Sequence, residues 1–240
     1  MISIDAGKTG QAALNQRIRL QPGDLRLEHC LGQRFIAAGR SEGRLEIYGV
    51  PGNALGAYLN GAEIEVMGNA QDAVGDTMNA GRIVIHGCIG DTAGYAMRGG
   101  EIYVEGSAGY RAGIHMKAYE DKLPVIVIGG RAGSFLGEYQ AGGIIVVLGL
   151  NTDGKPIVSN YPCTGMHGGK LFLRSDCKHI LFPKQVSTRP ATAADLEEVS
   201  PYLRQYARLF HCDHRELLDS AFTVVVPDSQ NPYQQMYVAN

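Results

Sequence analysis

Apolar and polar residues alternate along this chain in short runs that return at a nearly constant interval. Leu45 and Ile47 precede Gly49, Ile64 and Val66 precede Gly68, Ile83 and Ile85 precede Gly87, and Ile102 and Val104 precede Gly106. Those closing glycines stand 19 residues apart each time. Two looser copies follow, Val125-Ile-Val127-Ile-Gly129 and Ile145-Val-Val147-Leu-Gly149. The pattern begins earlier at Leu25-Arg-Leu27 and returns at Leu171-Phe-Leu173, so the closing positions are 29, 49, 68, 87, 106, 129, 149 and 175. Alternation with period two predicts half-buried strands, and a fixed spacing of this length predicts a repeat architecture of eight coils.

A second register lies between the strands. Seven residues after the closing glycine another glycine recurs, at 56, 75, 94 and 113, with Gly137 one residue late. Before it stand Leu55, Val74, Ala93, Ala112 and Leu136; ten residues after the closing glycine stand Leu59, Met78, Met97 and Met116. One position further come Asn60, Asn79, Arg98 and Lys117. Such columns imply equivalent residues stacked coil upon coil, each coil burying side chains it could not bury alone. The methionine column reads as core, since soft thioethers fill irregular interiors. At roughly 4.8 Å per coil the stack is a prism roughly 35–40 Å long. A period of 19–20 residues departs from the hexapeptide rhythm of left-handed helices. The expected fold is therefore all-β, a right-handed parallel β-helix built as a single-stranded solenoid.

The flanks read differently. Residues 1–22 form a lead-in, with an edge strand at Met1–Asp5 and a short helix from Gln11 to Arg19; residues 23–182 form the β-helix, with an elaborated loop between Leu150 and Gly168. Residues 183–240 form a C-terminal extension. There Thr192-x-x-Asp195 resembles a capping box ahead of Leu196, Val199, Leu203, Tyr206 and Phe210 on one helical face. Asp213-x-x-Glu216 opens a shorter helix, then Phe222–Val226 reads as a strand before a polar, tyrosine-bearing tail. These helices are expected to cap an open end of the solenoid and cover its strand edges.

Composition narrows the class. Gly accounts for 32 of 240 residues, but 45% of residues are hydrophobic and the glycines do not recur every third position, which excludes collagen and disorder. A net charge of −2 gives no general pull towards nucleic acid or anionic membrane. Five scattered cysteines without a Cys-x-x-Cys pair favour reduced thiols in a cytoplasmic protein. Neither a signal peptide nor an 18-residue apolar span is present.

Candidate chemistry is sparse. Gly7-Lys8-Thr9 lacks the glycine five positions earlier that a phosphate loop needs. His211-Cys-Asp-His214 offers two imidazoles at i and i+3 but no third ligand of known spacing, and Asp213 has a ready role as a helix N-cap. No metal or cofactor site is assigned, and whether the His211/His214 pair holds metal stays open. Asp72, Asp76 and Asp91 sit in Gly-rich turns, where such acids usually bond backbone. The loop around His167 lacks a nucleophile and base. Arg98, Arg111, His115 and Lys117 gather around Tyr95 and Tyr110 in neighbouring coils, a candidate docking or anion-binding patch set against an ordinary solvated face. No catalytic set emerges.

The segments Gly87-Cys-Ile-Gly-Asp-Thr-Ala-Gly-Tyr-Ala-Met-Arg-Gly-Gly, Gly109-Tyr-Arg-Ala-Gly-Ile-His-Met-Lys and Gly137-Glu-Tyr-Gln-Ala-Gly-Gly resemble the Gly-x-x-Gly-x-x-x-Gly (GXGXG) domain of the glutamate synthase large subunit. The same domain type forms one of the subunits of formylmethanofuran dehydrogenase and one of those of N-methylglutamate synthase. The tail Leu217-Leu-Asp-Ser-Ala-Phe-Thr-Val-Val-Val-Pro227 also resembles the end of the glutamate synthase chain. The resemblance implies a right-handed β-helix that is structural while neighbouring domains move glutamine amide nitrogen to 2-oxoglutarate. No cysteine nucleophile follows Met1, where Ile2 stands, and no cysteine cluster is available for iron–sulfur. The expectation is a stand-alone scaffold subunit without its own cofactor. Its partners would be an FMN-containing synthase subunit, with iron–sulfur also on partner chains, and a glutamine amidotransferase subunit. Self-association through an exposed face is left open. The alternatives are the same role in a formylmethanofuran dehydrogenase or N-methylglutamate synthase complex, and a free-standing β-helix enzyme acting on a polysaccharide. The absence of Trp and the scattered acids count against the last.

Overall fold

The computed structural model describes residues 1–228. Strands β1 (Ile2–Asp5), β2 (Leu25–Leu31), β3 (Arg44–Val50), β4 (Asn60–Val66), β5 (Ala80–Ile85), β6 (Glu101–Val104), β7 (Val125–Ile128), β8 (Ala141–Val147) and β9 (Gly168–Leu173) pair in parallel, each with the next in sequence. β2 to β9 are the strands of eight coils of a parallel β-solenoid. Two later strands, β10 (Val186–Pro190) and β11 (Thr223–Pro227), complete the sheet in the order β9-β11-β10. A narrower second ladder of single bridges joins Ala70, Ile89, Ala108, Ala132 and Val158.

The inward residues stack as the periodicity requires. Leu45, Ile64, Ile83, Ile102, Ile126, Ile145 and Leu171 stand opposite one another in successive strands, and all are buried. Leu59, Met78, Met97 and Met116 form a parallel column with no exposed surface.

The sixth coil departs from the expected alignment by one residue. In β7 the inward residues are Ile126 and Ile128, opposite Ile102 and Val104, not Val125 and Val127. The coil therefore closes at Gly130, whose N–H donates to Gly106 at 2.8 Å. Gly137 then falls seven residues after its closing glycine like the others, and Gln140 falls in the methionine column. Four consecutive β-branched residues hide the register because β7 is apolar on both faces.

The outward face explains that apolarity. Its central column runs Glu46, Glu65, Val84, Tyr103, Val127, Val146, Phe172, changing from charged to apolar along the sheet. The charged end is neutralised by its own neighbours: Arg26 donates to Glu46 at 2.9 Å, Arg44 pairs with Glu65, and His86 meets Glu65 at 2.8 Å. The apolar end is covered by α2 (Ala193–Phe210), which lays Val199, Leu203 and Tyr206 against it, with Leu217 from α3 (His214–Leu218) joining the same cluster. Thus the C-terminal helices cover the outer sheet face, whereas the strand edge of β9 is closed by antiparallel β11. At the other end, α1 (Gln11–Leu20) seals the core with Leu14 and Ile18. The tyrosine-bearing tail beyond Asp228 lies outside the described residues. Among the described residues no helix is long and apolar enough to cross a membrane.

The α2 start is a complete capping box: Asp195 N–H donates to Thr192 Oγ1, and Thr192 N–H donates to Asp195 Oδ2 at 2.8 Å. Arg189 also donates to Asp195 Oδ1 at 2.9 Å. Arg189 holds the Asp195 carboxyl well below the usual carboxylate range, against the burial that would raise it. A depressed folded value means that this stabilisation is present above the unfolded value near 3.8 and is lost as pH falls below it. Asp195→Asn is expected to cost about 1–3 kcal/mol at neutral pH. Its loss of stability below about pH 4 should be shallower than that of the parent chain. Urea titrations at pH 7 and pH 3 check both; equal stability of the two chains at pH 7 would refute the assignment.

Candidate docking face

The corners of the coils are built from alternating backbone hands. In the fourth corner Thr92, Gly94 and Ala96 have φ of 57°, 66° and 49°, and in the fifth Arg111, Gly113 and His115 have 58°, 71° and 54°. In both, the middle position is glycine, whereas Ala37 and Cys163 hold the same place in the first and last corners with φ of 57° and 60°. A Cβ on Gly113 would stand 2.4 Å from Ile145 Cδ1. The flanking positions face outwards and accept ordinary side chains at a conformational cost of about 1–2 kcal/mol each. Because the geometry repeats, those side chains form two columns on the surface.

In the later coils the columns are aromatic and cationic. Arg111 lies over the Phe135 ring at 4.8 Å, and Phe135 stacks on Tyr161 at 5.3 Å. In the second column His115 stacks on Tyr139 at 5.1 Å with ring planes 8° apart, and Tyr95 meets His115 edge-on at 5.9 Å. Tyr95, Tyr110 and Tyr161 are exposed.

Of the four residues singled out from the sequence, Arg111 and His115 are thus brought into adjoining columns. Arg111 also donates through Nε to buried Glu138 at 2.9 Å, so its charge is already balanced. Arg98 and Lys117 are stacked in the next column, where Lys117 N–H donates to Met97 and Arg98 N–H to Met78. Both side chains are exposed, and neither makes an ion pair among the described residues. The face therefore combines flat apolar surface with two free cations. Aromatic rings and arginine are what protein interfaces favour.

Phe135, Tyr139 and Glu138 escape a reading of the sequence because the one-residue shift at coil six displaces their columns, and Tyr161 because the loop after Gly149 puts it 12 residues past that glycine instead of five. Counting from Gly130 places Glu138 and Tyr139 in line with Ile114 and His115.

The other candidates have structural occupations. Asp72 Oδ1 accepts the Asp91 N–H at 2.9 Å, and Asp91 Oδ1 accepts the Tyr110 N–H at 2.8 Å, so these acids tie one coil to the next. Asp76 accepts from the Thr77 hydroxyl at 2.8 Å. Lys8 pairs with Asp5 at 3.2 Å in the turn after β1. His211 ends α2 with φ 55°, and Asp213 caps α3 by accepting the Arg215 N–H at 2.8 Å. His167 Nδ1 lies 3.0 Å from the Gly165 carbonyl. Burial pushes the Cys30 thiol up to about 12 and raises Cys163 and Cys177 as well, which removes them as nucleophiles near neutral pH. Among the described residues no three His, Cys, Asp or Glu side chains gather closely enough to hold a metal ion.

Comparison with known proteins bears on this arrangement. The family model described as the GXGXG motif matches residues 23–228. An uncharacterized protein of Methanocaldococcus jannaschii is 41% identical over 98% of this chain and 96% of its own length. The crystal structure of the formyltransferase/hydrolase complex from Methylorubrum extorquens, with methylofuran, contains a chain of similar fold. That likeness has a TM-score of 0.61 at 20% identity, covering 83% of this chain and 71% of that one.

Proposed function

The chain belongs to the GXGXG family, and from that premise we propose that it is a structural subunit that holds catalytic chains together in a glutamate synthase-type complex. The exposed aromatic and cationic columns of the corner face carry the reading. They stand on a wall whose inward positions are filled with packed side chains and whose turn acids Asp72 and Asp91 are tied to backbone. Such a wall fixes distances between partners, which suits an enzyme that must pass an intermediate from one active site to another. Glutamine hydrolysis and the FMN and iron–sulfur chemistry then reside on partner chains, an amidotransferase subunit and a synthase subunit.

The test is co-expression of this chain with the FMN-dependent synthase chain and the amidotransferase chain of the same genome. One stable assembly containing all three is expected, with glutamine-dependent glutamate formation lost when this chain is omitted. A chain that elutes alone in the presence of both overturns the proposal.

A second reading places the same scaffold role in a formyl-transferring complex, favoured by the shared fold with the Methylorubrum extorquens assembly. Assembly with a formyltransferase/hydrolase chain instead of the synthase chain would decide for it.

A further inference from the structure

The corner columns are also a ladder of backbone hydrogen bonds, and it ends unevenly. In six successive coils the first outward corner residue donates its N–H to the next coil: Phe35 to Asn53, Ala54 to Asp72, Ala73 to Asp91, Thr92 to Tyr110, Arg111 to Ser134 and Phe135 to Asn160. The last outward corner residue does the same, from Gly39 to Ala57 through to Tyr139 to Thr164. In the seventh and last corner the equivalent donors are Tyr161 and Gly165, with φ of 58° and 69°. Neither N–H meets an acceptor among the described residues. The N–H of Val158, last in the bridge ladder, is in the same position.

The opposite end is closed by the chain itself. Asn15 Nδ2 donates to the Arg34 carbonyl at 2.8 Å, the Arg34 N–H donates to Gln11 Oε1 at 3.2 Å, and Arg40 is held by the carbonyls of Ile18 and Gln21. Helix α1 thus stands where a preceding coil would be. At the eighth coil, β11 closes only the strand side. Beside the open corner lies a cleft of about 380 Å³ whose rim carries Tyr161, His179 and Leu181. Tyr161 is 64% and Leu181 89% exposed.

We propose that this end of the corner ladder is the docking edge for a loop of a partner subunit that supplies two backbone carbonyls four residues apart. That spacing is set by the acceptors inside the solenoid, such as Asn160 and Thr164. The loop completes an eighth corner and covers the apolar rim; this is edge augmentation applied to a corner instead of a strand. A second copy stacked head to tail cannot supply the carbonyls, because its own first corner is under α1. The inference rests on the scaffold reading and assigns the end of the solenoid to one of its partner contacts.

Hydrogen–deuterium exchange on the full chain, alone and in the assembly with the synthase and amidotransferase chains, tests it. Alone, peptides covering residues 157–166 should contain amides exchanging at least about a hundredfold faster than those of Phe135 and Tyr139. In the assembly these amides should slow by at least about tenfold. Leu181→Asp should leave the melting temperature unchanged and weaken assembly by at least about tenfold. Protection already present in the isolated chain overturns the inference, since the edge is then closed without a partner. An assembly that forms with unchanged exchange at 157–166, or that tolerates Leu181→Asp, also overturns it and leaves the scaffold reading standing. Failure of any assembly to form overturns both.

Discussion

Gly129→Ala is expected to unseat helix α2 from the solenoid while most of the coils survive. A Cβ at position 129 would lie 1.9 Å from the Tyr206 hydroxyl and 2.2 Å from the Glu105 carbonyl oxygen. Those two atoms are partners, since Tyr206 donates to Glu105 at 3.3 Å across a gap of 101 residues in sequence. The methyl group therefore enters the place where the helix hydrogen-bonds the backbone of a coil, just after β6. Rotating Tyr206 away relieves only half of the conflict, because the Glu105 carbonyl belongs to the neighbouring coil and cannot swing. Overpacking against backbone costs at the upper end of about 1–3 kcal/mol, and the lost hydrogen bond adds about 1 kcal/mol.

The consequence spreads because Tyr206 sits among Tyr103, Val127, Val146, Phe172, Val199 and Leu203 in one cluster. Each large side chain returned to water forfeits roughly 1.5–3 kcal/mol. Thermal unfolding should begin at least several degrees lower. Amides of residues 199–207 should lose protection before those of β3 to β5. Tyr206→Phe removes the hydroxyl and gives the Cβ more room, so it should partly rescue the Gly129→Ala chain. Unchanged melting and unchanged protection of α2 in Gly129→Ala would refute this account of the docking.

The solenoid was legible because its causes are local and repeat. Inward Leu45, Ile64, Ile83 and Ile102 each need the same neighbour one coil away, so spacing alone reports stacking. The place of α2 was not legible from its own sequence, which announces only an amphipathic helix with a capping box. The missing clue lay in the strands. β3 and β4 carry Glu46 and Glu65 outwards, whereas β7 and β8 carry Val127 and Val146. An outward face that turns apolar halfway along a solenoid requires a cover, and α2 is the apolar face available. The same doubly buried strand produced the register error at Gly129, since period two vanishes when both faces are apolar. The docking face was half legible. Arg111 and His115 were found because coils four and five keep the 19-residue spacing, but their ring partners Phe135 and Tyr139 come after the insertion in coil six.

The interior column separates size from chemistry at a single position, and the expected contrast is large. Met97 stands between Met78 and Met116 with no exposed surface, and Leu59 holds the equivalent place two coils earlier. The column tolerates different chemistry if the space is filled. Gln140 occupies it too, with its amide nitrogen on the Gly142 and Gly143 carbonyls at 3.1 Å. The neighbouring glycines leave room for these long side chains. A Cβ on Gly100 would stand 2.5 Å from Met78 Cε, and one on Gly143 would stand 2.9 Å from Met116 Cε. Met97→Leu should therefore cost less than about 1.5 kcal/mol, as a swap of near-equal volume. Met97→Ala leaves a void in a wall with little freedom to collapse, because the coils above and below are held by ladders on three sides. Its cost should reach about 2–5 kcal/mol. Denaturant titrations of the two variants beside the parent chain measure the gap. Equal stabilities would mean that the column is not the close-packed interior on which the stacking of coils depends.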